Sequence, residues 1–115
     1  MNLAEKLLNP KNIVLNAIQS KLEGTGIEKI IIVFNVLTDK CTILLTDKDD
    51  KRLNFDIDEN EVSIISKMFI NKIIKKFKKE SDTEINSVII RIEANESILD
   101  VFIENTKLEV SKLNY

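Results

Sequence analysis

The residues able to do chemistry are few, and their types are informative. The chain has no histidine and a single cysteine, Cys41. Histidine is the side chain whose charge changes near neutral pH and the commonest metal ligand, so its absence removes the usual proton shuttle. Cys41 has no second thiol to bridge and no imidazole to activate it, and it reads as a small hydrophobe within a strand. Gly24-Thr25-Gly26 lacks the glycine spacing that cradles a phosphate, so it reads as a turn.

Carboxylates gather at Asp47, Asp49, Asp50, Asp56, Asp58, Glu59 and Glu61. Asp56-x-Asp58-x-Asn60 opens like a calcium-binding loop. Its sixth position holds Glu61 where glycine is required, and its twelfth holds Lys67 where glutamate is required, so calcium is rejected. Paired acids can hydrolyse glycosides, but acids spread over loops read as solvation and helix capping. No catalytic residue, metal ligand or cofactor site is assigned. An enzyme would need a pocket lined by residues such as Asn35, Thr42, Arg91 or Glu93, and nothing in the spacing selects them.

Two surfaces carry what functional expectation there is. In the strands, Ile31, Val33, Leu44, Ile89 and Phe102 alternate with the core positions and so belong to the outer sheet face. Isolated outer-face Ile, Val and Phe are normal in strands; five on four strands are enough to mark association if they cluster. In the second helix, Lys67, Lys72, Lys75, Lys78 and Lys79 fall opposite the apolar stripe, with Ile64 and Met68 among them. Such a face binds phosphate backbones or an acidic partner, or is a solvated face whose terminal lysines favour the helix dipole. The near absence of arginine and of aromatic interleaving counts against nucleic acid.

The elements that position these residues follow from periodicity. Asn9-Pro10 predicts a helix start, with Ile13, Ala17, Ile18 and Leu22 as its buried stripe and Gly24 as its stop. A short helical turn around Leu3, Leu7 and Leu8 is expected before it. Strands are predicted over 27–36, 41–46 and 51–57, the first two joined by a turn at 37–40. Asp58 or Asn60 then caps a second helix running to about Lys79, with Val62, Ile65, Phe69, Ile73 and Phe77 inward, widened by Ile70 and Ile74. Three more strands follow over 85–94, 98–104 and 107–110.

The expected fold is α+β in the order α-β-β-β-α-β-β-β, a largely antiparallel six-stranded sheet packed against two helices. Residues 1–115 are expected to form one domain. An internal pseudo-two-fold repeat, residues 9–57 and 58–113, is an open alternative to simple strand periodicity. At an offset of 58, 18 of 21 positions between Ile27 and Asp47 agree in polarity with their counterparts. The helices need an offset nearer 52.

Hydrophobic content of 43% and charge of 31% describe an ordinary folded chain, and the net charge of −2 gives no global attraction for nucleic acid or anionic lipid. The polar start MNLAEKLLNPKN does not read as a signal peptide, and no apolar run approaches a membrane span. A soluble, cytoplasmic protein is expected. The favoured function is non-enzymatic: a small adaptor, escort chaperone, or inhibitor or immunity-type binder. It would use the sheet face or an edge strand, with another protein or a second copy as partner. Nucleic-acid binding through the lysine face is the alternative.

Overall fold

Asn9 and Pro10 open the first helix as expected. In the computed structural model, which describes residues 9–53, 58–80 and 84–113, the Asn9 carboxamide accepts the Lys11 amide at 2.9 Å. Pro10 occupies a position where no amide hydrogen is needed. This helix, α1, runs from Pro10 to Leu22 and is followed by Gly24 and Gly26, both at positive φ. Its buried residues are Val14, Leu15, Ile18 and Leu22, whereas Ile13 is exposed. The buried stripe is therefore turned by one residue from the predicted one, because Val14 and Leu15 sit nearer the axis through Ile18 and Leu22.

Strands β1 (Lys29–Asn35) and β2 (Lys40–Thr46) form the first hairpin, helix α2 spans Glu59–Glu80, and β3 (Ile85–Glu93), β4 (Ile98–Asn105) and β5 (Val110–Leu113) follow it. Asp58 caps α2, its carboxylate accepting the Asn60 and Glu61 amides at 3.0 and 3.2 Å. All strand pairs are antiparallel, in the spatial order β2-β1-β3-β4-β5.

Among the described residues the sheet has five strands, where six were expected. Of the predicted strand over 51–57, the described residues show an isolated bridge between Thr46 and Arg52 and a hydrogen bond from the Leu53 amide to the Leu45 carbonyl. Residues 54–57 lie outside the described residues, as do Leu3, Leu7 and Leu8. The last strand begins three residues later than predicted. Asn105 makes a turn first: its side-chain oxygen accepts the amides of Lys107 and Glu109, and Leu108 takes a φ of 63°.

The core lies between one sheet face and the two helices. Ile30, Ile32 and Phe34 from β1, Val88, Ile90 and Ile92 from β3, and Leu99, Val101 and Ile103 from β4 are buried. Val62, Phe69, Ile70 and Ile73 meet them from α2, with Ile65, Ile74 and Phe77 partly buried at the margin. Cys41 and Ile43 pack at that margin from β2. Alternation along each strand thus sends one set of side chains to the helices and the other to the opposite face.

Candidate interaction surface

The register assembles the outer face from cross-strand rows. Leu44, Ile31, Arg91 and Asp100 form one row across β2, β1, β3 and β4. The next row is Thr42, Val33, Ile89, Phe102 and Lys112, reaching β5. The five apolar residues selected from sequence therefore lie side by side. Leu44 stands opposite Ile31, Val33 opposite Ile89, and Ile89 opposite Phe102. Each is partly buried by its neighbours, and none is fully exposed. Cross-strand contact of this kind stabilises the sheet while leaving the rims of the side chains in water.

Two apolar residues extend the strip beyond those five. Ile98 shares the outward parity of Asp100 and Phe102 on β4 and is 37% exposed. Val110 stands opposite Glu104 at the start of β5 and is 57% exposed. The alternation of β4 is a signal that could have found Ile98. Val110 gives no such signal, because the turn before β5 decides where that strand begins.

A charged cluster interrupts one half of the strip. The Arg91 guanidinium donates to the Asp100 carboxylate at 2.8 Å, and Lys112 Nζ lies 3.3 Å from the other Asp100 oxygen. The guanidinium carbon of Arg91 also sits 5.4 Å from the centroid of the Phe102 ring, within cation–π range. The hydrogen bond from Arg91, with a further contribution from Lys112, holds the Asp100 carboxyl below the usual aspartate range, against partial desolvation.

The lysine face of α2 is also present. Lys67, Lys72, Lys75, Lys78 and Lys79 are exposed, as are Ile64 and Met68. Lys67 lies 3.8 Å from Asp39 in the β1–β2 turn. Among the described residues, the other four have no ion-pair partner. The acidic residues are largely occupied elsewhere. Asp47 accepts the Asp49 and Lys51 amides, Asp50 pairs with Lys29 at 2.7 Å, Asp58 caps α2, and Glu61 pairs with Lys21. Their negative charge thus serves turns, caps and local pairs. Asn35, Thr42, Arg91 and Glu93 lie on strands of the outer face and do not converge on a pocket. Of the four, Glu93 borders a cleft, beside Glu28, Lys29, Asp47 and Asp50; another cleft, between α1 and the β3–β4 turn, is lined by Asn16, Gln19, Glu23, Glu28 and Asn95. Sequence alone does not reveal it, because its residues come from two segments, 16–28 and 94–95, far apart in the chain.

No helix of the described residues is long and apolar enough to cross a membrane. No family model, curated protein or solved structure matches this chain.

Proposed function

We propose that the chain is a non-enzymatic protein-interaction module that binds another protein through its outer sheet face. One observation carries the reading. Leu44, Ile31, Val33, Ile89 and Phe102 form a contiguous apolar strip across four strands, with the Arg91–Asp100 pair beside it, on the sheet face opposite the core built with the described helices. The partner this strip fits presents apolar side chains of its own, with an acidic group placed for Arg91 and Lys112 at one end. A small adaptor, an escort chaperone and an inhibitor or immunity-type binder all meet that description, and a second copy of the chain is one partner to be tested.

The experiment compares the parent with Ile89→Asp, Phe102→Asp and the pair Lys75→Glu/Lys78→Glu. Each is used to capture partners from host extract and is measured alone by light scattering. A partner or dimer retained by the lysine pair and lost from both aspartate variants supports the sheet face. A partner or dimer that survives both aspartate substitutions removes it.

Lys72, Lys75, Lys78 and Lys79, without ion-pair partners among the described residues, favour a second reading: nucleic-acid binding along α2. Affinity for duplex or single-stranded nucleic acid would then fall steeply with salt and fall again in the lysine pair. Absence of binding at low salt removes this reading.

A further inference from the structure

We propose that the sheet is built from two copies of one α-β-β unit with a following turn, residues 9–53 and 58–113, related by a pseudo-dyad through the Ile32–Ile90 pair. This goes beyond the binding proposal and does not depend on it. Hydrophobic alternation cannot carry it, since any two hairpins alternate. Features that alternation does not set carry it instead.

The central pairing comes first. Ile32 of β1 stands opposite Ile90 of β3, and these two are each other's counterparts at the offset of 58. Antiparallel strands related by a two-fold axis pair a residue with its own copy; a register slid by two would do so as well, but here the axis falls on Ile32, the middle residue of β1. Both hairpins also close identically: Ile32 faces Ile43, and Ile90 faces Val101, with both members advanced by 58. The hydrogen bond from Val36 N to Asn86 O has as its mate the bond from Ala94 N to Glu28 O.

The turns repeat in their positive-φ positions, and those at 47–51 and 105–109 repeat in their hydrogen bonds as well. Asp39 and Ser97 sit at φ 57° and 53°, and Asp50 and Leu108 at 59° and 63°; these are all the positive-φ non-glycine residues among those described. Asp47 accepts the Asp49 and Lys51 amides through its side chain, and Asn105 accepts Lys107 and Glu109 in the same manner. The backbone bonds of the two turns, Asp47 N to Lys51 O and Asn105 N to Glu109 O, are both 3.0 Å. Even the isolated bridge conforms, because Thr46–Arg52 is the counterpart of the Glu104–Val110 pair that opens the β4–β5 ladder.

Each helix reaches across to the other unit. Gln19 of α1 donates to Ala94 O and Ser97 Oγ at the β3–β4 turn, while Lys67 of α2 approaches Asp39 at the β1–β2 turn. The helices differ in length, 22 residues against 13. That difference of nine is also the shortfall of the cap spacing, 49 from Asn9 to Asp58, below 58. An extension within α2 therefore explains why no single offset fits the whole chain.

The outer face inherits this symmetry. Ile31–Leu44 and Ile89–Phe102 are equivalent apolar pairs, and the units differ where Val33–Thr42 is replaced by Arg91–Asp100. A partner that contacts both halves meets two similar apolar seats, distinguished by one charged pair.

The test transplants Leu99–Glu109 into the positions of Cys41–Lys51, and the reverse, in the full chain. Each transplant is paired with a control slid by two residues, which keeps the alternation and misplaces the turn. The in-register chimaeras are expected to unfold cooperatively with midpoints within about 10 °C of the parent, the scale of a modest repacking cost. The slid controls are expected to lose cooperative unfolding. If neither in-register chimaera outlasts its control, the duplication is overturned. It is overturned equally if all four fold alike.

Discussion

Asp100 shows how much one carboxylate on the outer face is asked to do. It accepts a hydrogen bond from Arg91 and faces Lys112, and Arg91 in turn lies over Phe102. Because its folded-state pKa is lowered, its contribution is full above the ordinary aspartate range and is lost as pH falls through the lowered value. Asp100→Asn is therefore expected to cost about 0.5–1 kcal/mol near neutrality, the scale of a partly exposed pair. The gap between variant and parent should close as acid protonates the parent, below about pH 4. Thermal midpoints of both proteins across pH check this, and a gap that persists unchanged in acid would contradict it. Ser66 supplies a contrasting case. It is fully buried in α2, and its hydroxyl has no hydrogen-bond partner among the described residues. Ser66→Ala removes an unsatisfied polar group and a weak helix former, so stability should rise by about 1 kcal/mol. Denaturant midpoints measure this, and a loss of stability would point to an acceptor for that hydroxyl.

Among the elements, β5 and the turn before it are the least legible in the sequence. The alternation of β1, β3 and β4 names the core faces correctly, because Ile30, Ile32, Phe34, Val88, Ile90, Ile92, Leu99, Val101 and Ile103 obey a strict period of two. Lys107–Val110 is equally strand-like by composition. The Asn105 side chain captures the Lys107 and Glu109 amides there, so those residues turn instead of pairing. The α1 stripe is legible in the spacing: Val14, Leu15, Ile18 and Leu22 recur at helical intervals of three and four, whereas Ile13 falls on the opposite side. The five strip residues are legible from parity alone, whereas their adjacency depends on register, which parity leaves open. Leu108 tests the turn geometry. It is 72% exposed and held at φ 63°, where a side chain is strained and glycine is not. Leu108→Gly is expected to raise stability by up to about 1 kcal/mol, with little packing to lose. Equilibrium unfolding of the variant measures the effect, and a clear destabilisation would mean the Leu108 side chain is held in a contact.

At the scale of the whole molecule, one core joins both hairpins and both helices. The inward residues of β1 and β3 meet at the centre of the sheet, each flanked by strands on both sides. Amides of β1 and β3 should therefore exchange with solvent only through global unfolding, while β5, four residues long at an edge, should open locally and exchange faster. Native-state hydrogen exchange distinguishes this from independent halves, in which the β1–β2 pair would show its own, lower opening energy. The outcome bears on the proposed function as well, since the proposed binding strip spans four strands and requires them to hold together as one unit.

The pairing of β1 with β3 also governs how the chain is made. Asn35 ends β1 and Glu93 ends β3, so the inner edge of β1 waits 58 residues for its neighbour. At a synthesis rate of about 5–20 residues per second, that wait lasts roughly 3–12 seconds. Throughout it, the nascent chain offers the run Ile30-Ile31-Ile32-Val33-Phe34 with an unpaired row of amides and carbonyls, the kind of edge that recruits other strands. The central seam of the finished sheet is thus the one most exposed to capture on the ribosome.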